Sequence, residues 1–102
     1  MACIGKHRTV FGRGMGVGAT GAAAEAMAKA NAGRDAVDKG DAWAKTTTCD
    51  PGCVDGGTYS KGRNKARVTQ KATEVHFLGI HFFIAAASDS ADAGRYCTDP
   101  VE

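Results

Sequence analysis

The sequence predicts an α+β fold: an antiparallel sheet of about four strands with one long Ala-rich helix packed on one face, in the order β-α-β-β-β. Three observations carry this expectation. A glycine-alternating extended stretch, Lys6 to Val17, leads into an alanine-dominated helical pattern after Thr20. Several short extended segments separated by turn residues follow. The most apolar piece, VHFLGIHFFIAAA from Val75 to Ala87, is rich in β-branched and aromatic residues. A length of 102 residues suits a single domain, 1–102.

Thr9, Val10 and Phe11 favour a strand for the first element. Within it Gly12, Gly14, Gly16 and Gly18 alternate and share one face, while Arg13, Met15 and Val17 take the other. A strand face without Cβ atoms admits a neighbouring backbone at close range. The next element is a helix surfaced by methyl groups, so the glycine row reads as a packing groove. The same stretch supports a rival reading. Gly16-x-Gly18-x-x-Gly21 at a strand–helix junction has the form of the dinucleotide fingerprint, which makes Gly16, Gly18, Thr20 and Gly21 candidate anion-binding residues. That motif also needs a second strand ending in an acid about 20 residues on. The residues before Asp35 to Asp41 contain no apolar strand.

The helix is predicted from AAAEAMAKANA, with Glu25 and Lys29 at i,i+4 and Thr20 as the N-cap. Asn31 and Gly33 offer a stop, and RDAVDKGDAWAK can carry the helix past it. Asp35, Asp38 and Asp41 recur every third residue as a solvated face and lack the pattern of a calcium loop. Lys45 to Thr48 is expected to begin a short strand interrupted by the CDPGC turn. Asp55-Gly56-Gly57 and Lys61 to Asn64 are turn-rich, and Ala66 to Thr73 is polar and extended.

Val75 to Ala87 reads as one strand. Alternation puts His76, Leu78, Ile80, Phe82 and Ile84 on one face and Phe77, Gly79, His81 and Phe83 on the other. Both faces are then apolar, as in a strand that is sandwiched or that meets another chain. One helix covers one face only, so Phe77, Leu78, Ile80, Phe82 and Phe83 are the candidate interface with a second copy or another protein. His76 and His81 fall on opposite faces and cannot share a metal, and no metal or other cofactor is expected. Beyond Ser88 the tail is polar and is expected to end in a loop around Cys97.

The core is thin. There is one leucine, with three isoleucines and four phenylalanines, and alanine and glycine supply much of the remaining apolar count. A small domain with so little apolar area needs crosslinks, a metal or a partner. Four cysteines, Cys3, Cys49, Cys53 and Cys97, suggest two disulfides. The favoured pairing is Cys3–Cys97, which closes nearly the whole chain, with Cys49–Cys53 across the Pro51-Gly52 turn. A zinc site competes, although C-x-x-x-C without a second paired knuckle does not match the usual spacing.

A net charge of +2 with interspersed signs does not indicate nucleic acid, and the basic run Lys61, Arg63, Lys65, Arg67 and Lys71 reads as a solvated edge. No run approaches the roughly 20 apolar residues of a membrane span. No signal peptide is visible, and Met1 before Ala2 either is native or replaces a removed leader. The expected function is that of a small secreted or periplasmic module, stapled by disulfides, that binds or assembles. The alternative is a small enzyme or anion-binding domain that uses the Gly-rich turn, with no catalytic residue nameable from spacing.

Overall fold

A computed structural model of the chain describes residues 2–101. Five elements follow in order: β1 (Lys6–Gly18), α1 (Gly21–Thr46), β2 (Val54–Gly62), β3 (Arg67–Phe77) and β4 (Ile80–Thr98). The fold is α+β, with one helix on an antiparallel four-stranded sheet. β4 is the axis. β1 pairs along one of its edges from Lys6↔Arg95 to Gly18↔Phe83. β2 and β3 occupy the other edge end to end, β2 against the C-terminal half of β4 and β3 against its N-terminal half. The molecule is a rod of 70 × 20 × 14 Å with a radius of gyration of 18.9 Å. A compact chain of this length would have a radius near ~13 Å.

The glycine row explains how helix and sheet fit. Gly12, Gly14, Gly16 and Gly18 lie opposite Asp89, Ala87, Ala85 and Phe83 of β4. The helix buries Ala24, Ala28, Ala32, Ala36, Gly40 and Ala44, a strict i,i+4 series. Its backbone rests directly on β1. A Cβ added at Gly14 would stand 2.6 Å from the Ala28 carbonyl oxygen, and one at Gly18 would stand 2.8 Å from the Ala23 Cβ. Apart from Cys97, the buried apolar residues among those described are all alanines. Such a core has close contact but little area, so dispersion between near backbones replaces the burial of large side chains.

Length matching sets the ends. Twenty-six helical residues span ~39 Å, and residues 83–95 of β4 span ~40 Å. The helix begins near Phe83, and its last turn meets Arg95, whose Nη2 donates to the Ala44 carbonyl at 3.2 Å. A cation there complements the negative end of the helix dipole. Thr20 is the N-cap, its Oγ1 accepting from the Ala23 amide at 3.1 Å. Asn31 and Gly33 do not stop the helix, because both lie within a face already committed to the sheet, with Gly33 making room for Asp89.

Four expectations are corrected. Lys45 and Thr46 form the last helical turn and not the start of a strand. The tail beyond Ser88 does not end in a loop around Cys97: β4 runs on to Thr98, with Ala91 and Ala93 alternating into the helix face as Ala85 and Ala87 do. Val75 to Ala87 is not one strand, because it turns back at Leu78-Gly79. Both residues have positive φ, 51° and 79°, as a two-residue hairpin turn of matching twist requires.

The fourth correction concerns the cysteines. The disulfides are Cys3–Cys53 and Cys49–Cys97. Cys97 shares the helix-facing side of β4 with Ala93 and Arg95, so it meets Cys49 where the chain leaves α1. Cys53 immediately precedes β2 and Cys3 lies three residues before β1, the two strands that flank the C-terminal half of β4. Their registers place both at the end of β4, where the flanking chains converge. The Asp50–Cys53 turn does form, with the Cys53 amide donating to the Asp50 carbonyl at 3.1 Å, but Cys49 and Cys53 on either side of Pro51-Gly52 bond to different partners.

Candidate functional site

The sheet has one covered face and one open face. On the open face β1 presents His7, Thr9, Phe11, Arg13, Met15 and Val17, opposite Gly94, Asp92, Ser90, Ser88, Ala86 and Ile84. β3 and β4 extend this face beyond the helix with the pairs Val75↔Phe82 and Phe77↔Ile80. Phe11, Met15, Phe77 and Ile80 are each about two-thirds exposed, and Leu78 at the turn is 86% exposed. A shallow depression of about 650 Å³ lies over this surface, lined by Arg13, Met15, Thr69, Ala86 and Ser88 among others. Arg13 and Arg67 flank Ser88 and mark the polar border of the apolar half.

The five residues expected at an interface therefore divide. Phe77, Ile80 and Phe82 share the open face and Leu78 caps the turn, whereas Phe83 packs with the buried alanines near the helix start. The hairpin causes the division, because it reverses the alternation between Phe77 and Ile80.

The sheet edges are shielded by the helix. Along the outer edge of β1 the Arg13 amide donates to Asp35 Oδ2 at 2.8 Å, Asn31 Nδ2 donates to the Met15 carbonyl at 2.7 Å, and the Val17 amide points to Met27 Sδ at 3.5 Å. Met27, Asn31 and Asp35 are spaced four apart, so one helix stripe answers alternate backbone groups of a strand. Lys39 and then the Arg13 amide hold the Asp35 carboxyl below its ordinary pKa. On the β3 side the Ala72 amide donates to Glu25 Oε2 at 3.2 Å.

The candidate anion residues are all engaged. Helix backbone fills the space above Gly16, and Ala23 and Ala24 fill that above Gly18. Thr20 caps the helix and Gly21 faces Ala72. The row holds the chain's own helix where a phosphate was the alternative.

The histidines are placed differently from expectation. His76 and His81 are cross-strand partners on the same face, with ring centroids 4.1 Å apart. Glu74 Oε1 lies 3.1 Å from His81 Nδ1 and 3.2 Å from His76 Nε2. The signal for this grouping lies in the sequence itself: Val75-His76-Phe77 and Ile80-His81-Phe82 are near repeats, with the two histidines equidistant from Leu78-Gly79. Reading the run as one strand hid it. His7 is far off, near the disulfide end of β1. Compared with family models, curated proteins and solved structures, the chain matches none.

Proposed function

We propose that the protein is a small extracytoplasmic binding module that pairs with a second copy of itself, open sheet face to open sheet face. One observation carries the reading: an apolar half-face, containing Met15, Val17, Phe77, Ile80 and Phe82, has no cover within the described residues. Such a patch with a polar border is the usual mark of an association surface.

Two further features favour a face over an edge and a like partner over an unlike one. Helix side chains answer the outer backbone groups of β1 at three successive outward-facing residues, which opposes strand addition there. The small column Ala86, Ser88 and Ser90 lets two sheets approach to the usual ~10 Å. A two-fold axis near Ile84 sets apolar half on apolar half and leaves Arg13 and Arg67 at the rim. The two disulfides are consistent with an oxidising extracellular compartment. Among the described residues no helix is long and apolar enough to cross a membrane.

Sedimentation equilibrium from low to high micromolar concentration tests the pairing. The native chain is expected to reach twice its monomer mass, and Val17→Asp with Ile80→Asp is expected to remain monomeric with an unchanged circular dichroism spectrum. A native chain that stays monomeric throughout ends the proposal.

A further inference from the structure

The geometry points to a divalent metal site of the zinc class at the hairpin, held by Glu74, His76 and His81. The sequence places these residues on two adjacent strands, and the Leu78-Gly79 turn fixes their register. Glu74 and His76 are two apart on β3 and therefore share a face. His81 stands directly opposite His76 on β4. This gives two imidazoles and one carboxylate converging from one side of a two-stranded ribbon, with ligand atoms all within 4.8 Å of one another.

The spacings fit an ion. Two donors on a tetrahedral zinc, each at 2.0–2.1 Å, are about 3.3 Å apart. The Glu74 oxygen is already 3.1 and 3.2 Å from the two ring nitrogens. Only the two histidines need to close on each other, and their side chains, each 60% exposed, are free to do so. Without metal, His81 Nδ1 must carry a proton to donate to Glu74 Oε1. Moving that proton to Nε2 in His81, with His76 protonated at Nδ1, turns both lone pairs inward. This exchange needs no net loss of protons.

Two features of the surroundings suit this role. The hairpin projects beyond the helix start, so neither strand is covered at that point and water can complete the coordination shell. Among the described residues no cysteine is free, so no thiolate competes for the ion. Two imidazoles with one carboxylate and open positions is a pattern that zinc and related ions accept.

Calorimetric titration of the oxidised protein with Zn²⁺, paired with the visible spectrum of the Co²⁺ form, tests the site. One ion per chain is expected, with Co²⁺ bands of a four- or five-coordinate site. His76→Ala and His81→Ala are each expected to weaken Zn²⁺ binding about tenfold or more, with Glu74→Gln weakening it less and His7→Ala leaving it unchanged. All these side chains are exposed, and circular dichroism with intact mass confirms that each variant is folded and crosslinked. Absence of saturable Zn²⁺ binding by the native chain overturns the site. So does binding by the His76 and His81 variants within twofold of native. A sedimentation run on His76→Ala separates this result from self-association, because the two histidines lie on the opposite face from the open apolar surface.

Discussion

The two ends of the rod are held by different chemistry. At one pole two disulfides join the start of β1, the segment after α1, the start of β2 and the end of β4. Arg95 pairs with Asp55, Lys6 with Asp50, and the Tyr59 and Tyr96 rings sit 4.9 Å apart. At the other pole a two-residue turn closes β3 onto β4, with no crosslink, and exposes Phe77, Leu78 and Ile80. The first pole resists opening through covalent bonds and charge. The second is held by backbone pairing, which leaves its side chains exposed. A core of alanines cannot stabilise both ends alone, so the chain fixes one and presents the other.

The largest test of this contrast is removal of the crosslinks. Each disulfide closes a loop of about fifty residues, with separations of 50 and 48. In the chain-entropy picture each contributes about 4 kcal/mol, against a total near 5–15 kcal/mol for a small domain. Replacing all four cysteines with serine is expected to abolish the cooperative thermal transition. Replacing one pair is expected to lower the melting temperature sharply. Hydrogen exchange should show the loss first at β1 and β2 near Cys3 and Cys53. If the hairpin amides lose protection first instead, the poles have been assigned the wrong way round.

The middle of the rod serves both poles, and Gly14→Val probes it. The added side chain meets Ala28 and Ala32 backbone, so α1 must lift from β1 at an expected loss of about 3 kcal/mol. Chemical denaturation measures this, and a loss under a few tenths would mean that helix and strand are not in such close contact. The smallest effect belongs to the hairpin. Leu78 holds a positive φ that costs a non-glycine residue about 1–2 kcal/mol. Leu78→Asn is expected to recover up to about 1 kcal/mol, because Asn-Gly suits this turn. The gain should appear as slower exchange in β3 and in the first residues of β4 alone.

Much of the architecture was legible. Strand, Thr20 cap, alanine helix and glycine groove follow from local rules: alternation, capping preference and the absence of Cβ atoms. What failed was long-range or masked. Disulfide pairing depends on which face of β4 carries Cys97, a property of register and not of spacing. The turn at Leu78-Gly79 was hidden because leucine is a poor marker for a left-handed position, and the apolar run gave no polar break. Missing the turn separated His76 from His81. The polar strand after Ser88 was missed because its buried positions are alanines, too small to signal an inward face beside aspartate and serine. Met27, Asn31 and Asp35 as edge partners of β1 had a signal in their four-residue spacing, but only the packing of α1 alongside β1 gives that spacing a purpose.

The bridging cysteines sit where β1 begins and β4 ends, so both ends of the described chain leave the rod at one pole. Whatever is attached at either place, by fusion or by immobilisation, behaves as a single mount for a cantilever tens of ångströms long. Tension applied between the two attachment points runs through the sulfur bridges and adjoining strand ends, and the distal tip with its histidines bears almost none of the load.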